Sequence, residues 1–176
     1  MIYIYGSGGR GKLIKELLIR CKQKNKDITF IDDFKKKFKK TNYLLKNFIS
    51  GKDKLFIAIL DPKTQKKKYL FFKKKFKKID NEPLVDPKAT IKSKVKLSKN
   101  TIILENASIG PYVKISKNVF IGSRTIINHD SIIGPFSSIG HGANIAGKVK
   151  VDTNCIIGIS SIIKQNVNVG SNVLIG

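Results

Sequence analysis

The sequence predicts a small parallel α/β unit over residues 1–82, followed by a parallel β-helix of hexapeptide repeats over residues 83–176. Two observations predict this. Before Pro83, short apolar runs alternate with helix-like stretches. After it, an aliphatic residue recurs at every sixth position through to Ile175.

The first unit reads in order. "IYIY" (2–5) is a buried strand, and "GKLIKELLIRC" repeats apolar residues at Leu13, Leu17 and Cys21, as a helix does. "ITFI" (28–31) is a second strand, "KKFKKTNYLLKNFI" (36–49) a second helix, and "LFIAIL" (55–60) a third strand. The β-α-β-α-β order gives a Rossmann-like parallel sheet with helical crossovers. Ligands on such sheets sit beyond the carboxyl ends of the strands. Three features fall there: the loop from Gly6 to Gly11, the pair Asp32 and Asp33, and Leu60–Pro62. The loop "GSGGRGKL" fits both the dinucleotide spacing G-x-G-x-x-G and most of a P-loop. Leu13 stands where a P-loop needs a hydroxyl for Mg²⁺, and three strands are too few for a full dinucleotide domain. What remains is a glycine turn whose N–H groups suit a pyrophosphate, with Arg10 as counter-charge.

The second unit is defined by its period. Every sixth residue from Val85 to Ile175 is Val, Ile or Leu, sixteen in all. Four residues after each of the first fifteen lies a small or β-branched residue, from Ala89 and Val95 through Cys155 and Ser161 to Val173. This pairing is the hexapeptide signature: the large residue fills the prism and the small one lets opposite walls approach. Three hexapeptides close one triangular coil, so residues 18 apart stack, and residues 85–174 give five coils. Glycine often follows the aliphatic position (Gly110, Gly122, Gly134, Gly140, Gly158, Gly170), which reads as a tight corner.

Composition bounds the function. The chain carries 35 Lys+Arg against 12 Asp+Glu, a net charge of +23. Nucleic acid is the obvious partner for such a charge, but only three of the basic residues are arginines (Arg10, Arg20, Arg124). Base and phosphate readers favour the guanidinium fork, so nucleic acid binding is not expected. Runs such as "FKKKFKK" (34–40) and "KKKYLFFKKKFKK" (66–78) read instead as solvated helix faces whose aromatics pack inward. Attraction of anionic ligands is the alternative. No run approaches the roughly 20 apolar residues of a membrane span, and "MIYIY" meets glycine too soon for a signal peptide, so the expected location is cytoplasmic. Cys21 and Cys155 form no redox or metal pair.

Chemistry must come from residues that break the repeat. The chain has two histidines, His129 and His141, each two residues after an inward aliphatic and so at an outward corner. His129 is followed by Asp130. A carboxylate beside an imidazole orients the ring and raises its basicity, as suits a general base near neutral pH. Two solvated polar residues on a corner are the plain alternative. Hexapeptide carbonic anhydrases need three histidine ligands, and this chain has two histidines without a suitable pair spacing: no metal site is predicted.

The whole chain resembles the sialic-acid and UDP-amino-sugar acetyltransferases, hexapeptide-repeat proteins that include UDP-4-amino-sugar N-acetyltransferases. "IYIYGSGGRGK", "FIDDF", "FIAI", "HDSIIGPFS" and "AGKVKV" carry the resemblance, in order along the chain. It implies a left-handed winding for the β-helix, a homotrimer, and acetyl transfer from acetyl-CoA as co-substrate. It further implies that His129 is the base that deprotonates the sugar amine, supported by Asp130. Gly8, Gly9, Arg10, Asp32 and Asp33 would bind the UDP-sugar, while Ser138, Gly147 and Ile159 would face acetyl-CoA. Gly147 would offer its N–H to the oxyanion.

The chain departs from that family at several points. Relatives have His at Arg10, Gly at Leu60, a second His at Ser138, and Asn at Gly122; His141 is the candidate replacement for the second His. Relatives also run on for a further coil or more and a capping tail beyond the position of Gly176, so the C-terminal coils read as truncated. Two other readings follow from these departures. One is an acyltransferase acting on another sugar or sugar nucleotide. The other is a non-catalytic trimeric binding protein.

Overall fold

The computed structural model describes all 176 residues, which divide into two units, Met1–Asn81 and Glu82–Gly176. In the first, β1 (Ile2–Tyr5) is the central strand of a three-stranded parallel sheet, flanked by β2 (Ile28–Ile31) and β3 (Lys54–Ile57). All four residues of β1 are buried, as expected of a central parallel strand covered on both faces. Helix α1 (Gly9–Arg20) buries Ile14, Leu17 and Leu18. It can do so because residue 11 is glycine: a Cβ there would stand 2.1 Å from the Gly6 carbonyl oxygen. Helix α3 (Pro62–Lys75) starts with Pro62 behind the N-cap Asp61, whose carboxylate accepts from the Thr64 N–H at 2.8 Å. Tyr69 and Phe72 on α3, and Phe76 just beyond it, are buried, while the intervening lysines are solvated.

The other lysine run is different. The helix predicted from residue 36 begins only at Thr41 (α2, Thr41–Asn47), and residues 34–40 form a turn. Asp32 is the cause. Its Oδ1 accepts from the N–H groups of Phe34 (3.0 Å) and Lys35 (3.1 Å), a side-chain-closed turn that competes with helix. Phe34 is left 95% exposed, so its aromatic ring does not pack inward as the run suggested.

The second unit is a parallel β-helix of sixteen two-residue strands, from β4 (Leu84–Val85) to β19 (Leu174–Ile175). They form three parallel sheets of six, five and five strands, each strand pairing with those 18 residues away. The aliphatics from Ile103 to Ile157 at the six-residue period are at most 1% exposed and fill the interior. Ala107, Val113, Val119, Ala143, Val149 and Cys155 complete that core.

The inward hydroxyls are satisfied. Thr125 Oγ1 donates to the Gly140 carbonyl (2.8 Å), Ser131 Oγ to Ala146 (2.9 Å), and Ser137 Oγ to Asp152 (2.8 Å). Each bond reaches the next coil, so these small residues tie coils together as well as letting walls approach.

The corners also refine the sequence reading. From Lys94 to Asn172, every sixth residue adopts positive φ, and it lies three positions after the inward aliphatic. The glycines directly after the aliphatic do not carry that left-handed conformation. For those with a coil stacked on them the requirement is steric: a Cβ on Gly122 would lie 2.6 Å from the His141 backbone nitrogen one coil on, whereas Gly170 has open space.

Candidate functional site

The His129 corner joins β11 (Ile126–Ile127) to β12 (Ile132–Ile133). Ile127 and Ser131 point inward and are fully buried, which leaves His129 and Asp130 outward and about half exposed, at 47% and 48%. Asp130 is the positive-φ residue of this corner, at +59°, a conformation that Asp tolerates better than most residues. That turn brings its carboxylate back on its neighbour: His129 Nδ1 and Asp130 Oδ2 are 2.8 Å apart. An ionised carboxylate only accepts, so Nδ1 carries the proton and Nε2 keeps the lone pair a base needs. The His129 carbonyl accepts from the Lys148 N–H one coil on, at 2.9 Å. On the same coil Gly147 lies directly against the ring; a Cβ there would stand 2.5 Å from Nε2. Histidine in this orientation therefore needs glycine at 147.

His141 occupies a different edge, the corner after β13 (Ser138–Ile139). Its Nδ1 accepts from the Ser123 N–H at 3.0 Å, so the neutral ring carries its proton on Nε2. Ser123 Oγ donates to Glu105 Oε1 at 2.7 Å, and the Phe120 ring meets the imidazole edge-on, with centroids 6.4 Å apart. Ser138 is buried, while Ile159, one coil beyond His141 at the same corner, is 71% exposed. Within one chain, then, His129 and Gly147 form one cluster, and Ser138, His141 and Ile159 belong to another edge.

The glycine loop of the first unit has its own arrangement. Gly8 is the N-cap of α1, without a side-chain cap, and Gly8 and Gly9 are exposed with open space around them. Arg10 Nη1 donates to the Ile59 carbonyl at 3.0 Å, and burial lowers its guanidinium to about 10, still cationic at neutral pH. Both aspartates are engaged in the protein's own network, Asp32 buried and Asp33 at the surface. Asp32 Oδ2 accepts from the Ser7 N–H (3.1 Å) and Oγ (2.5 Å). Burial pushes this carboxyl up, but the bonds from Ser7, Phe34 and Lys35 outweigh it and hold the group at about 2. Asp33 accepts from Tyr5 Oη (2.6 Å) and from the Thr41 N–H (2.8 Å) and Oγ1 (2.7 Å). Burial raises that carboxyl too, and these bonds lower it overall. Both aspartates therefore shape the loops around the strand ends. Ser7, Tyr5 and Thr41 complete the network, and only their fold-dependent contacts with the aspartates single them out.

No group of three or more His, Cys, Asp or Glu side chains is placed to hold a metal ion. No helix is long and apolar enough to cross a membrane.

Residues 1–70 match the model of the PglD N-terminal domain, and residues 112–147 match the bacterial transferase hexapeptide (six repeats). No curated protein sequence matches the chain significantly. Among solved structures, the chain is similar to the acetyltransferase domain of PglB from Neisseria gonorrhoeae FA1090 in complex with acetyl coenzyme A. The two share 20% identity over 98% of this chain and 86% of that one, with a TM-score of 0.87. It is also similar to PerB from Caulobacter crescentus in complex with CoA and GDP-perosamine (18% identity, 99% and 93% coverage, TM-score 0.78). WeeI from Acinetobacter baumannii AYE is similar over 100% of this chain and 96% of that one (16% identity, TM-score 0.64). At these identities the likeness establishes the fold, a small parallel α/β unit followed by a parallel β-helix, consistent with the left-handed form.

Proposed function

We propose that this chain, which joins a PglD-type N-terminal domain to the bacterial transferase hexapeptide repeat, transfers an acetyl group from acetyl-CoA to the amino group of a nucleotide-linked sugar. The observation that carries the reading is the His129–Asp130 pair, half exposed and with Nε2 beside Gly147. Similar solved structures hold acetyl coenzyme A, or CoA with GDP-perosamine, which supports both co-substrates.

In this reading His129 Nε2 takes a proton from the sugar amine as its nitrogen attacks the thioester carbonyl. The new C–N bond forms a tetrahedral oxyanion, which the Gly147 N–H faces. Collapse breaks the C–S bond, and the proton held on His129 passes to the departing CoA thiolate. Asp130 balances the imidazolium between these steps. Gly8, Gly9 and Arg10 hold the diphosphate of the sugar nucleotide, and Asp32 and Asp33 fix the loops that shape its pocket. Ser138 and Ile159 contact acetyl-CoA.

The preferred acceptor is a UDP-4-amino-sugar. Another sugar nucleotide, GDP-linked included, is the second reading, favoured by the 59% exposed Leu60 in the loop beyond β3. Because the His129 corner is half exposed, a neighbouring prism in a homotrimer supplies the wall that positions two substrates. In this reading the reaction is cytoplasmic.

Thiol release from acetyl-CoA, measured with UDP-4-amino-sugars and GDP-perosamine, tests the proposal. His129→Ala is expected to lower the rate by roughly 10²- to 10⁴-fold. No release with any acceptor overturns the transferase reading. Release that His129→Ala leaves untouched overturns the assignment of the base.

A further inference from the structure

Beside the His129 corner, an open groove of about 570 Å³ is lined by Lys94, Lys96, Tyr112, Lys114, Asp130 and Ile132. We propose that this groove binds a phosphate or diphosphate carried by one of the two co-substrates. The inference rests on the acyl-transfer reading for the identity of those co-substrates, and on the prism alone for the anion.

The charges support it first. Lys96 and Lys114 are register partners on β6 (Lys96–Leu97) and β9 (Lys114–Ile115), so two ammonium groups leave the same face from adjacent coils. Like charges directly opposite on a sheet destabilise it. Neither lysine has a carboxylate within ion-pair distance, in contrast to Lys99, which pairs with Glu82. Lys94 is held by Tyr112 alone: its Nζ lies 3.4 Å from the hydroxyl and 5.1 Å from the ring centroid. The single acid of the groove, Asp130, has its Oδ2 on His129. A bound polyanion would relieve this uncompensated repulsion with charge-assisted bonds.

Position supports it next. Lys96, Lys114, Ile132 and Lys150 stack in one outward column on successive coils. The cationic column is interrupted at Ile132, on the coil of His129. Two lysines of the column thus lie one and two coils before the base and a third one coil after it, with an apolar floor at Ile132 between them. A ligand with a phosphorylated end and a neutral reacting end fits that order.

Calorimetric titration of the full chain with inorganic pyrophosphate, CoA and UDP tests the site, comparing wild type, Lys96→Gln/Lys114→Gln, the corresponding double Arg variant, and Lys88→Gln, an exposed lysine at another corner of the prism, as a control. The double Gln variant is expected to weaken pyrophosphate binding about 100-fold, roughly tenfold per lost charge-assisted bond, and the Arg variant to restore it. The wild-type affinity falls as salt rises. A parallel loss for CoA alone assigns the groove to the thioester donor, and one for UDP alone moves the acceptor's diphosphate from the glycine loop to the groove. Affinities within twofold of wild type for all three probes overturn the proposal. Lysine-dependent pyrophosphate binding without acetyl transfer to any acceptor would remove the enzymatic reading and leave the anion site. Transfer with lysine-independent binding would do the reverse.

Discussion

The reactive end of His129 points at a residue whose side chain is a single hydrogen. A methyl group on Gly147 would come 2.5 Å from Nε2 and 2.6 Å from Cε1, so it competes with the ring and not with backbone. The ring is the far part of a half-exposed side chain and can rotate away, at the cost of its bond to Asp130. Gly147→Ala is therefore expected to keep the melting temperature within a few degrees while lowering kcat at least tenfold. Thermal denaturation beside steady-state kinetics checks this; a variant with full kcat would show that Nε2 is not the working atom. His129 and Asp130 were legible in the sequence because they are adjacent and break a strict repeat. The positive φ that turns the carboxylate onto the ring was not, since the six-residue pattern fixes which residues face inward and says nothing of corner dihedrals.

Glycine has another task within the coils. At Gly122 a Cβ would meet backbone, the His141 nitrogen at 2.6 Å and the Gly140 carbonyl carbon at 2.8 Å. Backbone held by ladder bonds on both sides cannot step aside as a side chain can. Gly122→Ala is expected to destabilise the prism by about 1–3 kcal/mol, the usual cost of overpacking, read as a lowered urea midpoint. An unchanged midpoint would mean that the coils separate more easily than their hydrogen bonds suggest. The strands themselves were fully legible, because one aliphatic per six residues admits no other periodic solution. What stayed hidden were the side-chain bonds to carbonyls 15 residues on, such as Ser131 to Ala146. The helix expected from residue 36 failed for a related reason. Lysines and aromatics suit a helix, but Asp32, lying just before the run, closes a turn with Phe34 and Lys35 first.

At the scale of the molecule, the open question is what covers the prism. Ile126 and Ile162 point outward from one sheet and are 41% and 77% exposed. Apolar residues on the sheet that leads into the His129 corner suit a surface covered by another copy. Light scattering is expected to give three times the 19.7 kDa chain mass. Full activity from a monomer would remove the role assigned to the neighbouring subunit.

The pairing of each coil with only those 18 residues before and after it has a further consequence. Such a stack is effectively one-dimensional, and its opening spreads from neighbour to neighbour. The coil that carries His129 is clamped from both sides, through Ser108–Ile109 below and Asn144–Ile145 above. It cannot fray until one of those flanking turns has already let go. The imidazole thus sits on a rung that breathes late, and a half-exposed side chain keeps its aim because the rung under it holds still.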